Sequence, residues 1–179
     1  MINIEKKSLK SAFTLIEMLV VMAHMALMIG VGVSSFYGIG GSSALSGSVN
    51  EVQGALSLAR QQTVLQGSSV NIYFHVDGST DDIVCEMWAM TNGTSVAYDT
   101  LDNTCGYKMG SVYYFPKGID VKVDGTKIID NADKYITLRP TGASITGGNL
   151  EIELTLPDKG YGYLITVYNI TGLTSVKDI

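Results

Sequence analysis

The chain is poor in charge, proline, cysteine and histidine. Only 16% of its 179 residues are Asp, Glu, Lys or Arg, which excludes a highly charged disordered chain. Three prolines exclude a Pro-rich linker protein, and two cysteines exclude a disulfide-dense mini-scaffold. There is no G-x-S-x-G, H-E-x-x-H or Walker A pattern, and only two histidines. Gly30-Val31-Gly32 and Gly160-Tyr161-Gly162 each lack the third glycine of a dinucleotide fingerprint. The expectation is a chain that is not an enzyme and uses no cofactor and no metal. Twelve Lys and Arg against seventeen Asp and Glu give a net charge of −5, which disfavours a broadly basic nucleic-acid binder.

What the chain does have is apolarity, 46% of it, unevenly placed. From Phe13 to Tyr37, 18 of 25 residues are apolar or aromatic, and positions 18–50 hold no charged residue. A helix of that length reaches roughly 37 Å, enough for the ~30 Å hydrocarbon core of a bilayer. Ahead of it lie Lys6, Lys7 and Lys10 against Glu5, a bias that predicts a cytoplasmic N-terminus and an exported C-terminal part. A cleaved signal peptide is the alternative, but the run exceeds a 7–15-residue signal core. No A-x-A site follows it before Ser46. Glu17 stands out, because a carboxylate at helix-centre depth costs about 2.5–3.5 kcal/mol and needs a cationic partner. Cutting after Ala12 supplies one, the new amine of Phe13.

Ala12-Phe13-Thr14-Leu15-Ile16-Glu17, followed by the apolar run, resembles the processing site of type IV prepilins and type II secretion pseudopilins. The resemblance implies that a prepilin peptidase cuts between Ala12 and Phe13 and methylates the amine of Phe13. It also implies that Glu17 pairs with the amine of an adjacent subunit and sets register in a helical filament. That family usually carries Gly where this chain has Ala12. The partners implied are other pilin or pseudopilin subunits, the prepilin peptidase, an inner-membrane assembly platform and membrane lipid. The location implied is the bacterial inner membrane, single-pass, with the C-terminal domain in the periplasm.

Beyond the apolar run, Leu45, Val49, Val52, Leu56, Ala59 and Thr63 recur at helical spacing, and Gly67 is a natural stop. One long helix is expected over 13–66, softened at the glycines of 38–41, which read equally as a hinge or as a break between a membrane helix and a domain helix. His24 reads as a neutral helix-packing residue, and Arg60 as a helix-end cation favourable to the dipole. From residue 68 the period alternates, predicting strands at 70–74, 83–90, 112–115, 119–123, 127–129, 135–138, 150–156 and 163–168. Val123-Asp124-Gly125-Thr126 reads as a two-residue hairpin. The expected fold class is α+β, pilin-like: a long N-terminal membrane-spanning helix packed on an antiparallel β-sheet domain. Its divisions are a leader at 1–12, a transmembrane part at 13–37, a soluble helix at 38–66 and a periplasmic β domain at 67–179.

Within the pilin-like family, the Ala59-Arg60 helix end feeding Val70-Asn71-Ile72, and Leu138-Arg139-Pro140-Thr141-Gly142, resemble H-type pseudopilins and the FimT-like minor pilins. Cys85 and Cys105 both fall in the exported part, where disulfides persist. A bridge between them is worth roughly 3 kcal/mol by chain entropy, with two free thiols as the alternative. Asp77 to Asp82 carries oxygen ligands suited to calcium but lacks EF-hand spacing and reads as a solvated turn. Losing the leader removes three Lys and one Glu, leaving the mature chain at −7. DNA binding then depends on a local patch of Lys117, Lys122 and Lys127. The leading expectation is a minor pseudopilin of a type II secretion system. The alternatives are a minor pilin of a type IV pilus and a singly anchored membrane protein that never polymerises.

Overall fold

A computed structural model describes residues 14–91, 96–129, 133–141 and 148–179, without the side chains of 31–39. The chain falls into two compact units, Met1–Gly40 and Gly41–Ile179. Among the described residues, helix α1 (Leu15–Gln66) is followed by nine strands: β1 (Val70–Val76), β2 (Ile83–Met90), β3 (Gly106–Tyr114), β4 (Asp120–Val123), β5 (Thr126–Lys127), β6 (Lys134–Leu138), β7 (Leu150–Leu156), β8 (Tyr161–Val167) and β9 (Thr174–Asp178). They form two antiparallel sheets, ordered β3-β2-β1-β6 and β5-β4-β7-β8-β9. The fold is α+β, a helix on antiparallel sheets. Among the described residues no helix is long and apolar enough to cross a membrane. The leader 1–12, with Phe13, lies outside the described residues.

Local chemistry explains the boundaries. Gly67 takes a left-handed conformation (φ 65°), and its N–H reaches the Thr63 carbonyl at 3.1 Å, ending α1 as expected. Asp124 and Gly125 both have positive φ (50° and 72°), the signature of a type I′ turn, between paired Val123 and Thr126. No basic residue lies in the last turn of α1, so Arg60 sits too far from the helix end to serve the dipole.

All six residues of the expected helical face, Leu45, Val49, Val52, Leu56, Ala59 and Thr63, are buried. The five apolar ones join a single cluster with Val70, Ile72 and Phe74 of β1 and with Val121, Ile152, Leu154 and Ile165 of the second sheet. Each large aliphatic in that cluster contributes roughly 1.5–3 kcal/mol by leaving water. The polar members are satisfied: the Ser48 hydroxyl donates to Ala44 O at 2.9 Å and lies 3.0 Å from the Tyr113 hydroxyl. Thr63 Oγ1 donates to Arg60 O at 2.7 Å.

Two strands depart from expectation. β3 begins at Gly106 instead of 112, and it carries a register shift opposite Cys85–Met87 with Gly110 at φ 68°. The shift breaks the period-two pattern, which is why Gly106–Ser111 does not read as a strand. β9 is short and largely exposed, so no buried alternation marks it.

Candidate functional site

Glu17 lies in the first turn of α1, three residues after Thr14. The Thr14 backbone N–H donates to Glu17 Oε2 at 2.9 Å, and the Thr14 hydroxyl donates to the same oxygen at 3.0 Å. The Glu17 N–H returns a bond to Thr14 Oγ1 at 3.3 Å. This is a reciprocal capping box, which satisfies backbone donors that the first helical turn leaves orphaned. The T-x-x-E spacing ahead of an apolar run is the sequence signal for it. Ala12 and Phe13, the expected cleavage and methylation residues, lie outside the described residues.

Between Leu15 and Ile29 the helix shows apolar side chains on every side of Glu17 and His24. Leu15, Ile16, Met18, Leu19, Val20, Val21, Met22, Met25, Leu27, Met28 and Ile29 are all exposed. A helix that is apolar all round is covered by lipid or protein when it functions. His24 turns inward on its own backbone, its ring Nδ1 3.0 Å from the Val20 carbonyl.

The expected Cys85–Cys105 bridge is corrected: both thiols are free. Cys85 pairs with Tyr113, whereas Cys105 lies beside Thr91, whose N–H donates to the Cys105 carbonyl at 2.9 Å. Six residues of strand separate Cys85 from Thr91, about 20 Å at ~3.3 Å per residue, against the ~7 Å limit for a disulfide. Burial, and then the charge of Glu86, pushes the Cys85 thiol up to about 12.

A buried polar cluster on the far face of the first sheet went unread in the sequence. Glu86 is 2% exposed and His75 6%. Burial raises the Glu86 carboxyl, but bonds from Lys108 and Trp88 and the nearby His75 ring outweigh it and bring the group to about 2. Lys108 Nζ pairs with Oε2, while Trp88 Nε1 donates to Oε1 at 3.0 Å and His75 Nε2 stands 3.7 Å away. The Tyr73 hydroxyl donates to Val96 O at 2.7 Å and accepts from Asn71 Nδ2 at 2.7 Å. The Tyr73 bond fastens the chain at Val96 onto the sheet. A cavity of about 250 Å³ opens beside the cluster, lined by His75, Asp77, Glu86, Tyr98, Lys108 and Tyr114 among others.

The remaining candidates are used locally. Asp77 accepts from the Ser79 N–H at 2.9 Å and its hydroxyl at 2.8 Å, a self-closed turn. No group of three or more potential metal ligands occurs among the described residues. Lys122 pairs with Glu153 at 2.7 Å and Lys127 with Asp120 at 2.5 Å. Two of the three lysines proposed as a nucleic-acid patch are thereby neutralised.

The crystal structure of the type IV minor pilin FimU from Pseudomonas aeruginosa is similar to this chain at 12% identity and a TM-score of 0.48, over 74% of this chain and 92% of that one. No curated protein sequence matches it significantly. A family model described as type II transport protein GspH matches residues 48–171, from the buried face of α1 to the turn before β9. With more than half its length covered by that match, the chain belongs to the GspH family of pilin-like minor pseudopilins.

Proposed function

We propose that the chain is a minor pseudopilin of a type II secretion system, held in the bacterial inner membrane by residues 13–37 with its β domain in the periplasm. The family match over residues 48–171 carries this reading. The Ala12–Glu17 motif and the exposed apolar helix behind it support the processing and membrane parts. In this reading prepilin peptidase cuts before Phe13 and methylates its amine, and the assembly platform draws the mature chain into a short filament with other pseudopilins. The protein contributes packing and the Glu17–amine pair, and no catalysis of its own.

The test is co-expression of the full chain with a prepilin peptidase, followed by membrane fractionation and N-terminal mass analysis. The reading expects a membrane-bound product beginning at methylated Phe13. An uncut chain beside an active peptidase, or a product that leaves the membrane, overturns it.

A further inference from the structure

β9 ends the five-stranded sheet and pairs with β8 alone among the described strands. Four of its five residues are exposed, so it projects beyond the core as a two-faced strip. The hydrogen-bond pattern fixes which backbone groups are left over. Gly162 and Ile179 exchange both N–H···O bonds, at 2.9 and 3.0 Å, and the Tyr168 N–H donates to Leu173 O at 2.9 Å. Antiparallel pairing alternates, so Leu173, Ser175, Lys177 and Ile179 direct their backbone groups toward β8. Thr174, Val176 and Asp178 direct theirs outward. An edge of this kind is a template for another strand.

We propose that β9 is a self-association edge, joining a second copy of this chain antiparallel and making one continuous sheet across the pair. Parity allows only registers that place an outward residue opposite an outward residue. Centring the pair on Val176 sets Thr174 against Asp178 of the second copy and Val176 against its counterpart, with six backbone hydrogen bonds. On the other face Leu173 meets Ile179 of the second copy, and Ser175 meets Lys177. Those pairings cover the exposed apolar side chains of the edge, Leu173 (53%), Val176 (37%) and Ile179 (48%). They also give each Asp178 carboxylate a threonine hydroxyl. A shift of one step toward the C-terminus puts Lys177 against Lys177, and a second step puts Asp178 against Asp178. Both oppose like charges and are disfavoured. A shift toward the N-terminus sets Val176 against Thr174 and Leu173 against Lys177, so charge and apolar matching together favour the register centred on Val176 between two copies of this chain. The contact is two-fold and closes on itself, so it forms a pair and does not propagate. It is independent of the secretion reading above.

Single cysteines read the register directly, using the full chain in detergent with Cys105→Ser as background. Val176→Cys is expected to cross-link copies under mild oxidation, because its counterpart lies opposite. Thr174→Cys, four residues out of register with its own counterpart, is expected not to. Val176→Pro removes an outward N–H that β8 does not use, so the fold should persist by circular dichroism while sedimentation shows at least a tenfold loss of dimer. Equal cross-linking at 174 and 176 overturns the proposal. So does a chain that stays monomeric at every concentration, or that enters complexes only with a different protein, or a Val176→Pro variant that folds and still pairs.

Discussion

The ring of Tyr98 lies on the imidazole of His75, with centroids 3.6 Å apart and planes inclined by 22°. Tyr98 comes from the segment following β2 and His75 from β1, so the stack ties a connection to the sheet interior. Burial, and then the Glu86 charge, pushes the Tyr98 phenol up to about 12. Glu86 is the hub on which this arrangement rests.

Glu86→Gln is expected to cost about 1.5–3 kcal/mol, since it removes the charged acceptor that the half-exposed Lys108 and the Trp88 indole share. The wild-type carboxyl sits at about 2 in the fold against 4.5 ordinarily. A depressed folded-state value means its stabilisation is complete above about pH 4.5 and is lost as pH falls toward 2. Urea midpoints measured across that window should fall more steeply in the wild type than in Glu86→Gln, where the lowered Asp77 and Asp102 carboxyls still titrate. The full shift corresponds to a change on the order of 3 kcal/mol.

Glu17→Ala is expected to abolish entry into filaments while leaving the chain in the membrane. Thr14→Ala removes the capping partner but keeps the carboxylate, so it should lower helix stability by about 1 kcal/mol and still assemble. Cross-linking of each variant with co-expressed pseudopilins separates the two roles. Assembly of Glu17→Ala at wild-type levels rules out the amine pair.

Thiol labelling distinguishes the cysteines. Cys105 is half-buried and should react with maleimide in the folded protein. Cys85 is buried with its thiol near 12, and should react only in denaturant. Two labels without reductant fit the register; none until reductant is added restores the bridge.

Two glycine substitutions should have opposite signs. A Cβ on Gly162 lies 2.5 Å from Thr155 Cγ2 and 2.6 Å from the Leu154 carbonyl oxygen, so Gly162→Ala forces neighbouring strands apart. The expected loss is about 1–3 kcal/mol. A Cβ on Gly54 meets nothing within 4 Å, and Gly54→Ala in α1 should gain up to about 1 kcal/mol. Thermal melting of both variants checks the contrast.

The long helix, its buried stripe, its stop at Gly67 and the Asp124-Gly125 hairpin were legible in the sequence. Each is fixed by neighbours within a few residues, through helical spacing, a left-handed cap or a turn type. β3 was half missed because a local shift breaks its alternation. β9 was missed because an exposed edge strand needs no apolar face. The bridge between Cys85 and Cys105 misread the chain because a count of cysteines carries no distance.

Local order alone therefore determined that this is a helix-led, pilin-like chain with an apolar N-terminal run. Tertiary structure decided what depends on register between distant segments. It set the two cysteines apart along the β2–β3 pair, gathered His75, Tyr98 and Lys108 around the buried Glu86, and neutralised Lys122 and Lys127 with Glu153 and Asp120. Strand pairing sets such distances, and pairing is chosen by the burial of whole faces, which no short stretch of sequence contains.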